Sequence, residues 1–278
     1  MSGTQVSGTL YIIATPIGNL EDITIRAVRI LGEVDLIACE DTRETRKLLD
    51  RYNIARPLVS YHEHNERTRS ADLLRDLEAG KNIALVSDAG TPLIADPGYR
   101  LVEQARQIGI LVSPIPGPSA LLAALSASGL PTDSFIFHGF LPSKKGQRRR
   151  LLEDLRPSQT TLVFYETPHR VLGALEDIEE TMGPRPVVLA RELTKIHEEF
   201  LRGTAAEIRE ALAIRPSVKG EITLMIGKSE TVEVEDTPLA EAVEKLVESG
   251  VPRMEALKTV ARQRGLSKRE VYKQVNEY

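Results

Sequence analysis

Short apolar runs alternate with amphipathic stretches through the first half of the chain. Runs typical of buried strands occupy residues 10–14, 35–39, 57–60, 83–86 and 111–115. Between them, apolar residues such as Ile23, Ala27 and Ile30 recur at helical spacing, and Pro97 is placed to begin a further helix. Strands that alternate with helices predict a mostly parallel sheet with helical crossovers. Residues 8–128 are therefore predicted to form an N-terminal α/β domain.

The alternation restarts after a connector at residues 129–133 that contains glycine and proline. Strand-like runs then occupy residues 135–140, 160–165, 187–192, 200–202 and 221–226, and helical patterns begin near Lys145, Pro168 and Thr204. The runs near residues 187 and 200 are too close together for a helical crossover, so this sheet is predicted to be at least partly antiparallel. Residues 129–228 are predicted to form a second α/β domain.

Beyond residue 228 the pattern changes to a small helical tail. Three short helices are predicted at residues 238–249, 252–264 and 267–276, and Ser267 and Glu270 have the spacing of a capping box. Residues 228–248 contain seven acidic and two basic side chains, whereas residues 251–273 contain seven basic and two acidic ones. Residues 229–278 are thus predicted to form a C-terminal helical tail with separated charges.

Composition and charge narrow the class of protein without identifying it. The 278 residues are 41% hydrophobic and 27% charged, as in ordinary globular proteins. No apolar run approaches the roughly 18 residues of a membrane span, and the first residues do not form a signal peptide, which predicts a cytoplasmic protein without a membrane partner. The net charge of −4 means that nucleic-acid binding would need a local basic surface. The single cysteine, Cys39, has apolar neighbours and is predicted to be a buried thiol.

Features that favour ligand binding are concentrated in three loops that follow strands of the first domain. The chain contains neither a Walker-type phosphate loop nor a GxGxxG motif. The three loops lie at residues 14–20, 87–98 and 114–120. The second is long for a strand-to-helix connection and holds two glycines, two prolines and two aspartates. Glycine lets the backbone approach a ligand, and carboxylates can bind ribose hydroxyls or a cation. Because such loops lie at the carboxyl end of a parallel sheet, the three are expected to converge on one site.

Several segments carry a resemblance to a known family. They are LYIIATPIGNLEDITIRAVRIL, DLIACEDTR, LVSDAGTPLIADPGYRLV, PIPGPSALLAALSASGLPTDSFIFHGFLP, LVFYETPHR and ARELTKIHEEFLRGT, within residues 10 to about 226. The chain resembles the tetrapyrrole methylase superfamily, the class III S-adenosylmethionine methyltransferases, and within it the branch that methylates ribosomal RNA. Tetrapyrrole-modifying members typically carry Gly-Asp-Pro where this chain has Gly90, Thr91 and Pro92, which disfavours a tetrapyrrole substrate.

The resemblance implies two α/β domains with S-adenosylmethionine (SAM) folded into the cleft between them. Carried over by position, the cofactor-binding residues would be Pro16, Asp88, Ala89, Gly90, Thr91, Ile94, Ser119 and Ala120 from the first domain, with Tyr165 and Leu193 from the second. The resemblance also implies a homodimer. As the reaction, it implies methylation of a ribose 2′-hydroxyl of a decoding-region cytidine in 16S rRNA, so the partner would be 16S rRNA or the 30S subunit.

Methyl transfer to a hydroxyl mainly requires alignment of the reacting atoms, although a positioned base can add about 10² to 10⁴ in rate. Glu40 follows the strand that ends at Cys39 and is predicted to act as the base or as an orienting group. Arg43 is predicted to bind a phosphate or carboxylate, and Asn19 to hold the target nucleotide. The same acidic segment also fits an ordinary helix N-terminus, so both interpretations remain open.

Candidate RNA-binding residues lie in a basic segment and at two histidines. Lys144, Lys145, Arg148, Arg149 and Arg150 place five cations within one short segment at the start of a predicted helix. Cations oppose the helix dipole at that end, which favours phosphate contact over a plain solvated surface. His64 and His169 are further candidates to line the RNA side. A metal site is not predicted, because His62 and His64 alternate on an extended segment and have no third ligand nearby.

Two other functions remain compatible with the sequence. A tetrapyrrole or other small-molecule methylase would need a roomy apolar cleft rather than a basic rim. A DNA-binding regulator is suggested by residues 254–276, which resemble a helix-turn-helix pair in length. The regulator would leave the ligand-binding loops of the predicted α/β domains unexplained.

Overall fold

The structure is a computed structural model that describes residues 7–229, 238–264 and 266–276. It divides into two compact units, Met1–Lys228 and Ser229–Tyr278. The first unit holds two five-stranded sheets, and the second is helical. Among the described residues, no helix has the length and apolar character needed to cross a membrane.

The first sheet is parallel and is flanked by helices. Its elements are β1 (Thr9–Ile13), α1 (Ile25–Glu33), β2 (Leu36–Cys39), α2 (Thr42–Arg51), β3 (Leu58–Ser60), α3 (Glu66–Glu78), β4 (Ile83–Val86), α4 (Tyr99–Gln107), β5 (Leu111–Ile115) and α5 (Ala120–Ser128). The strand order is β3-β2-β4-β1-β5, and every strand pair is parallel, as the sequence predicts.

Helices cover both faces of this sheet, so its central strand is buried along its whole length. Ile83, Ala84, Leu85 and Val86 of β4 are all buried, and they belong to two core clusters on opposite faces. Because β1 lies between β4 and β5, the loops that follow these three strands leave the sheet side by side.

One predicted helix boundary is wrong by two positions. The helix expected to begin at Pro97 begins at Tyr99, and Gly98 is its N-cap with a φ of 135°. At Gly98 a β-carbon would also come within 2.9 Å of the Leu85 side chain. The positive φ redirects the chain here, so Pro97 remains part of the loop.

The second sheet is mixed, and it also belongs to the first unit. Its elements are β6 (Phe135–Phe140), α6 (Lys145–Leu155), β7 (Thr161–Glu166), α7 (Val171–Met182), β8 (Val187–Arg191), β9 (Glu199–Gly203), α8 (Ala205–Ala213) and β10 (Ile222–Ile226). The order is β6-β7-β10-β8-β9; β6 and β7 are parallel and the other pairs are antiparallel. The predicted antiparallel pairing of the strands near residues 187 and 200 is thus confirmed.

The second unit contains α9 (Leu239–Glu248), α10 (Arg253–Gln263) and α11 (Lys268–Asn276). These helices share a small core that includes Val243, Leu257, Val260 and Val271. The predicted capping box begins α11: the Ser267 hydroxyl accepts from the backbone N–H of Glu270, whose carboxylate accepts from the backbone N–H of Ser267.

Candidate functional site

The three loops singled out in the sequence meet at the carboxyl end of the first sheet. Thr15 and Gly90 exchange backbone hydrogen bonds of 2.8 and 3.0 Å, which joins the loop after β1 to the loop after β4. The Thr91 hydroxyl donates to the Pro118 carbonyl at 3.2 Å, which joins the loop after β4 to the loop after β5. These bonds fix the three loops as one structure.

A cavity of about 560 Å³ lies against these loops and against the second sheet. Its volume is within the roughly 300–1,000 Å³ of small-molecule sites. The residues predicted to bind the cofactor, apart from Pro16, line this cavity: Asp88, Ala89, Gly90, Thr91, Ile94, Ser119, Ala120, Tyr165 and Leu193. Pro16 lines a second cavity of about 280 Å³, which shares Ile17, Asp88 and Ala89 with the first.

Backbone strain is concentrated around the larger cavity. Leu93, Ala95, Glu192 and Thr194 have positive φ angles of 53–71° although none of them is glycine. The first two lie in the loop after β4 and the other two in the loop after β8. Such conformations cost about 1–3 kcal/mol each and are retained mainly where a site requires them.

The two halves of the first unit come into close contact at Gly18. A β-carbon at this position would lie 2.4 Å from Lys195 Cγ and 2.9 Å from the Leu193 carbonyl oxygen. Only a glycine therefore lets the loop after β1 approach the loop after β8. The Lys195 ammonium lies between Glu192 and Glu221, at 2.9 and 3.0 Å, and lines both cavities.

A group of carboxylates lies at the ends of β2 and β4. Burial, together with the nearby charges of Glu40 and Asp88, raises the pKa of Asp96 to about 6, although a hydrogen bond from Ser87 opposes the shift. Burial and the charge of Asp88 also raise the pKa of Glu40. Asp88 accepts a 2.8 Å hydrogen bond from the backbone N–H of Asp41. In the part of the chain that the structure describes, no ion pair neutralises Asp96.

The residues predicted to act on the acceptor are not all in one place. Glu40 is partly buried near Asp88 and Asp96, which line the larger cavity, but it does not itself line either cavity. The Arg43 guanidinium is exposed and pairs with Asp41 at 2.6 Å, and Asp41 in turn caps α2 through the backbone N–H of Arg43. Asn19 is exposed, and its side chain accepts from the Glu21 backbone N–H at 3.1 Å. This segment therefore forms the N-terminus of α2 and also contributes Glu40 to the group of carboxylates.

The basic segment forms a ladder of ion pairs with α7. Lys145 pairs with Glu176 at 3.3 Å, Arg148 with Asp177 at 2.6 Å and Arg149 with Glu180 at 2.5 Å. Arg148 is buried, and its partner Asp177 is fully buried. These acidic side chains neutralise the cations at the start of α6. Ion pairing within the protein therefore explains much of the cation cluster without an RNA ligand.

Lys144 and Arg150 differ from the other cations of the segment. Both are exposed, and neither has an acidic partner within the described part of the chain. His64 and His169 are exposed as well. Cys39 is buried, as predicted. The described residues contain no group of three or more His, Cys, Asp or Glu side chains arranged to hold a metal ion.

Several cavity-lining residues were not among the predicted site residues: Asp96, Phe140, Glu166, Glu192, Lys195 and Glu221. Asp96 lies in the loop already recognised as rich in glycine, proline and aspartate, and that loop was its only signal. Lys195 and Glu221 come together through the turns of the second sheet, which no local sequence pattern shows.

Comparisons with known proteins agree with this geometry. The family model for tetrapyrrole (corrin/porphyrin) methylases matches residues 9–209, which confirms the resemblance. Curated relatives include proteins named ribosomal RNA small subunit methyltransferase I. The one from Halalkalibacterium halodurans is 52% identical and aligns over 95% of this chain and 93% of its own. The one from Bacillus subtilis is 44% identical over 98% of this chain and 95% of its own.

A third relative of the same name is shorter. The protein from Thermotoga maritima is 50% identical over 223 residues, which are 80% of this chain and 100% of its own.

Solved structures show the same fold at low sequence identity. Diphthine synthase superposes with a TM-score of 0.64 at 13% identity, covering 79% of this chain and 90% of its own. Cobalt precorrin-4 methyltransferase superposes with a TM-score of 0.60 at 18% identity, covering 79% of this chain and 94% of its own. The predicted α/β fold class is confirmed by these neighbours.

Proposed function

The chain belongs to the tetrapyrrole methylase family, and on that premise we propose that it transfers a methyl group from SAM to a ribose 2′-hydroxyl of small-subunit ribosomal RNA. The observation that carries this proposal is the near full-length similarity to proteins named ribosomal RNA small subunit methyltransferase I. The acceptor, from the resemblance, is a cytidine of the decoding region in 16S rRNA. An enzyme acting on this substrate works in the cytoplasm.

The larger cavity fits SAM in both space and charge. Gly90 has a φ of 81° and lies in the cavity wall, so the backbone is exposed to a ligand there without a side chain in between. The cofactor carries a sulfonium and an ammonium group, and the cavity offers the Asp96 and Asp88 carboxylates. Asp96 is the better partner, because it is partly buried, whereas Asp88 is exposed and already accepts a hydrogen bond from the Asp41 backbone N–H.

When bound, SAM supplies an electrophilic methyl group, so the chain's own residues mainly bind and orient. The predicted cofactor residues would hold SAM between the loops of the first sheet and Tyr165 and Leu193 of the second half. The Tyr165 ring is itself held by edge contacts to Phe137 and Phe140, at centroid distances of 4.8 and 5.7 Å.

Glu40 is proposed to accept or orient the proton of the ribose hydroxyl. Its raised pKa makes the carboxylate a better base than an exposed glutamate, and it lies near Asp88 and Asp96, two carboxylates that line the cavity. Arg43 and Asn19 are exposed and are proposed to contact the nucleotide. Arg43 would have to exchange Asp41 for a phosphate.

The RNA is proposed to contact the basic segment and the two exposed histidines, His64 and His169. The geometry ranks the five cations: Lys144 and Arg150 are exposed without acidic partners in the described chain, and Lys145 and Arg149 are shared with acids of α7. Arg148 is buried against Asp177, so its proposed contribution is to hold α6 in place.

A homodimer, implied by the resemblance, is also part of the proposal. The edge strand β6 supports it, because Phe135 and Ile136 are 38% and 40% exposed. Bare apolar side chains on an edge strand favour a protein partner. Light scattering of the wild-type protein and of Phe135→Glu tests this directly: a monomeric wild type contradicts it.

The proposed reaction is tested with 30S subunits purified from cells that lack this methylation. Tritium from labelled SAM should enter 16S rRNA in the presence of the protein. Uroporphyrinogen, a tetrapyrrole, serves as the competing acceptor. Labelling of the tetrapyrrole and not of the RNA would contradict the proposal and favour a small-molecule methylase.

A further inference from the structure

The helix α11 presents a basic and aromatic stripe to solvent. Arg269, Tyr272 and Lys273 are all exposed and lie at positions i, i+3 and i+4, so they share one face of the helix. Val271 and Val275 are buried in the core of the helical unit and define the opposite face. Tyr272 is 53% exposed, so its ring is accessible from solvent.

A further cation, Lys268, immediately precedes Arg269 at the start of α11. Lys258 of α10 pairs with Glu255 at 2.6 Å. Lys258, and more weakly Lys268, lowers the pKa of Glu255, so both lysines lie near the same carboxylate.

The local charge contrasts with that of the rest of the chain. Positions 251–273 carry a net charge of +5, from seven basic and two acidic side chains, while the whole chain carries −4, which leaves −9 for the remainder. An acidic protein repels a polyanion, so a strongly basic face needs a reason of its own. Aromatic rings next to lysine and arginine are typical of surfaces that bind unpaired nucleotides.

We propose that the α11 face formed by Arg269, Tyr272 and Lys273 binds the RNA substrate. Arg269 and Lys273 contact phosphates, and Tyr272 stacks on an unpaired base. This inference rests on the proposed rRNA function and adds RNA-binding residues on the second unit to those proposed on α6.

The test uses the full chain and an RNA fragment that contains the decoding region of 16S rRNA. Arg269→Gln/Lys273→Gln removes two proposed phosphate contacts. Its control, Arg75→Gln/Lys81→Gln, removes the same charge from exposed positions of the first unit that pair with Asp72 and Asp76. RNA affinity is measured by fluorescence anisotropy between about 50 and 200 mM salt, with thermal melting as the folding control.

Two lost contacts should lower the salt slope of log affinity by roughly 1.4–1.8, at roughly 0.7–0.9 for each contact. Across this fourfold change in salt, the wild type should lose about 7- to 12-fold more affinity than the α11 variant. Tyr272→Ala should weaken binding several-fold without altering the slope, and Tyr272→Phe should restore it. In methylation assays, these variants should raise the KM for RNA and leave kcat unchanged.

Three results would overturn the inference. One is an α11 variant with the wild-type affinity and slope; another is an equal loss in the control variant, which would show a general charge effect. The third is loss of random duplex DNA binding with unchanged RNA binding, which would make this a DNA surface. The direct binding readout keeps the inference separate from the proposed reaction: RNA binding that depends on α11, without methyl transfer, refutes the reaction alone.

Discussion

Replacing Asp96 by asparagine removes the carboxylate that we propose recognises the positive charge of SAM. The substitution keeps the size of the side chain and deletes its charge. A hydrogen bond to a charged group contributes about 1.5–3 kcal/mol, so the affinity for SAM should fall about 10- to 150-fold. The Asp96 carboxylate lines the cavity and has no ion pair among the described residues, so no cation of the described chain neutralises its charge.

The pH dependence of SAM binding follows from the same group. Burial and the charge of Glu40 raise the pKa of Asp96 to about 6, so the carboxyl is neutral below that pH and anionic above it. The affinity of the wild type for SAM should therefore fall as the pH decreases through 6, by about tenfold between pH 7 and pH 5. The Asp96→Asn protein should lack this step.

The stability of the SAM-free protein should change in the opposite direction. A carboxyl whose pKa is higher in the folded than in the unfolded chain destabilises the fold once it ionises, so this loss develops as the pH rises from about 4 to about 6. A fully buried group with this shift would cost about 3 kcal/mol, and the partial exposure of Asp96 reduces that to about 1–2 kcal/mol. Asp96→Asn should thus melt at a higher temperature at pH 7 while binding SAM more weakly.

Isothermal calorimetry from pH 5 to pH 8, with thermal melting of the free proteins, measures both effects. Asp133→Asn is the matched control, because Asp133 is exposed and lies outside the cavity. Weaker binding together with higher stability cannot come from misfolding. Asp96→Asn with the wild-type affinity and pH profile would refute the role of this carboxylate.

Four further variants test other parts of the chain. Gly90→Val should abolish measurable SAM binding in calorimetry, because Gly90 has a φ of 81° where a side chain costs about 1–2 kcal/mol and a branched one more; unchanged affinity would remove this loop from the site. Glu40→Gln should lower the single-turnover methylation rate about 100-fold and leave SAM affinity within twofold, whereas a wild-type rate would make Glu40 structural. Lys144→Gln/Arg150→Gln should reduce the salt slope of RNA binding by roughly 1.4–1.8, and an unchanged slope would place the RNA elsewhere. Arg148→Gln should instead lower the free energy of unfolding in urea by about 3–5 kcal/mol, because it removes the cation that pairs with the buried Asp177 carboxylate. A decrease below about 1 kcal/mol would contradict the ion-pair geometry.

The sequence contained enough to predict the first sheet and the position of its ligand loops. Parallel strands covered on both faces are continuous apolar runs, such as Ile83–Val86, and the loops that follow them always lie at the same edge. The residues that these loops contribute to the cavity were therefore accessible from the pattern and the resemblance together. The roles of these residues stay predictions until they are measured.

The cation cluster shows what the sequence could not provide. Lys145, Arg148 and Arg149 are read from the sequence as one basic surface, but their acidic partners lie on α7, beyond the intervening strand β7. Pairing between two helices depends on how they pack, which periodicity does not define. The same limit hid Lys195, whose contact with Glu221 crosses from one turn of the second sheet to another.

The most direct test of the account is the position of the methyl group in the product. Undermethylated 30S subunits would be incubated with labelled SAM and the protein, the 16S rRNA digested to nucleosides, and the labelled nucleoside identified by mass spectrometry. The proposed reaction gives labelled 2′-O-methylcytidine from the decoding region. The Asp96→Asn protein should give much less of it at SAM concentrations well below that variant's raised Kd. A label on a base, or no label in 16S rRNA while the protein binds SAM, would contradict the proposed reaction.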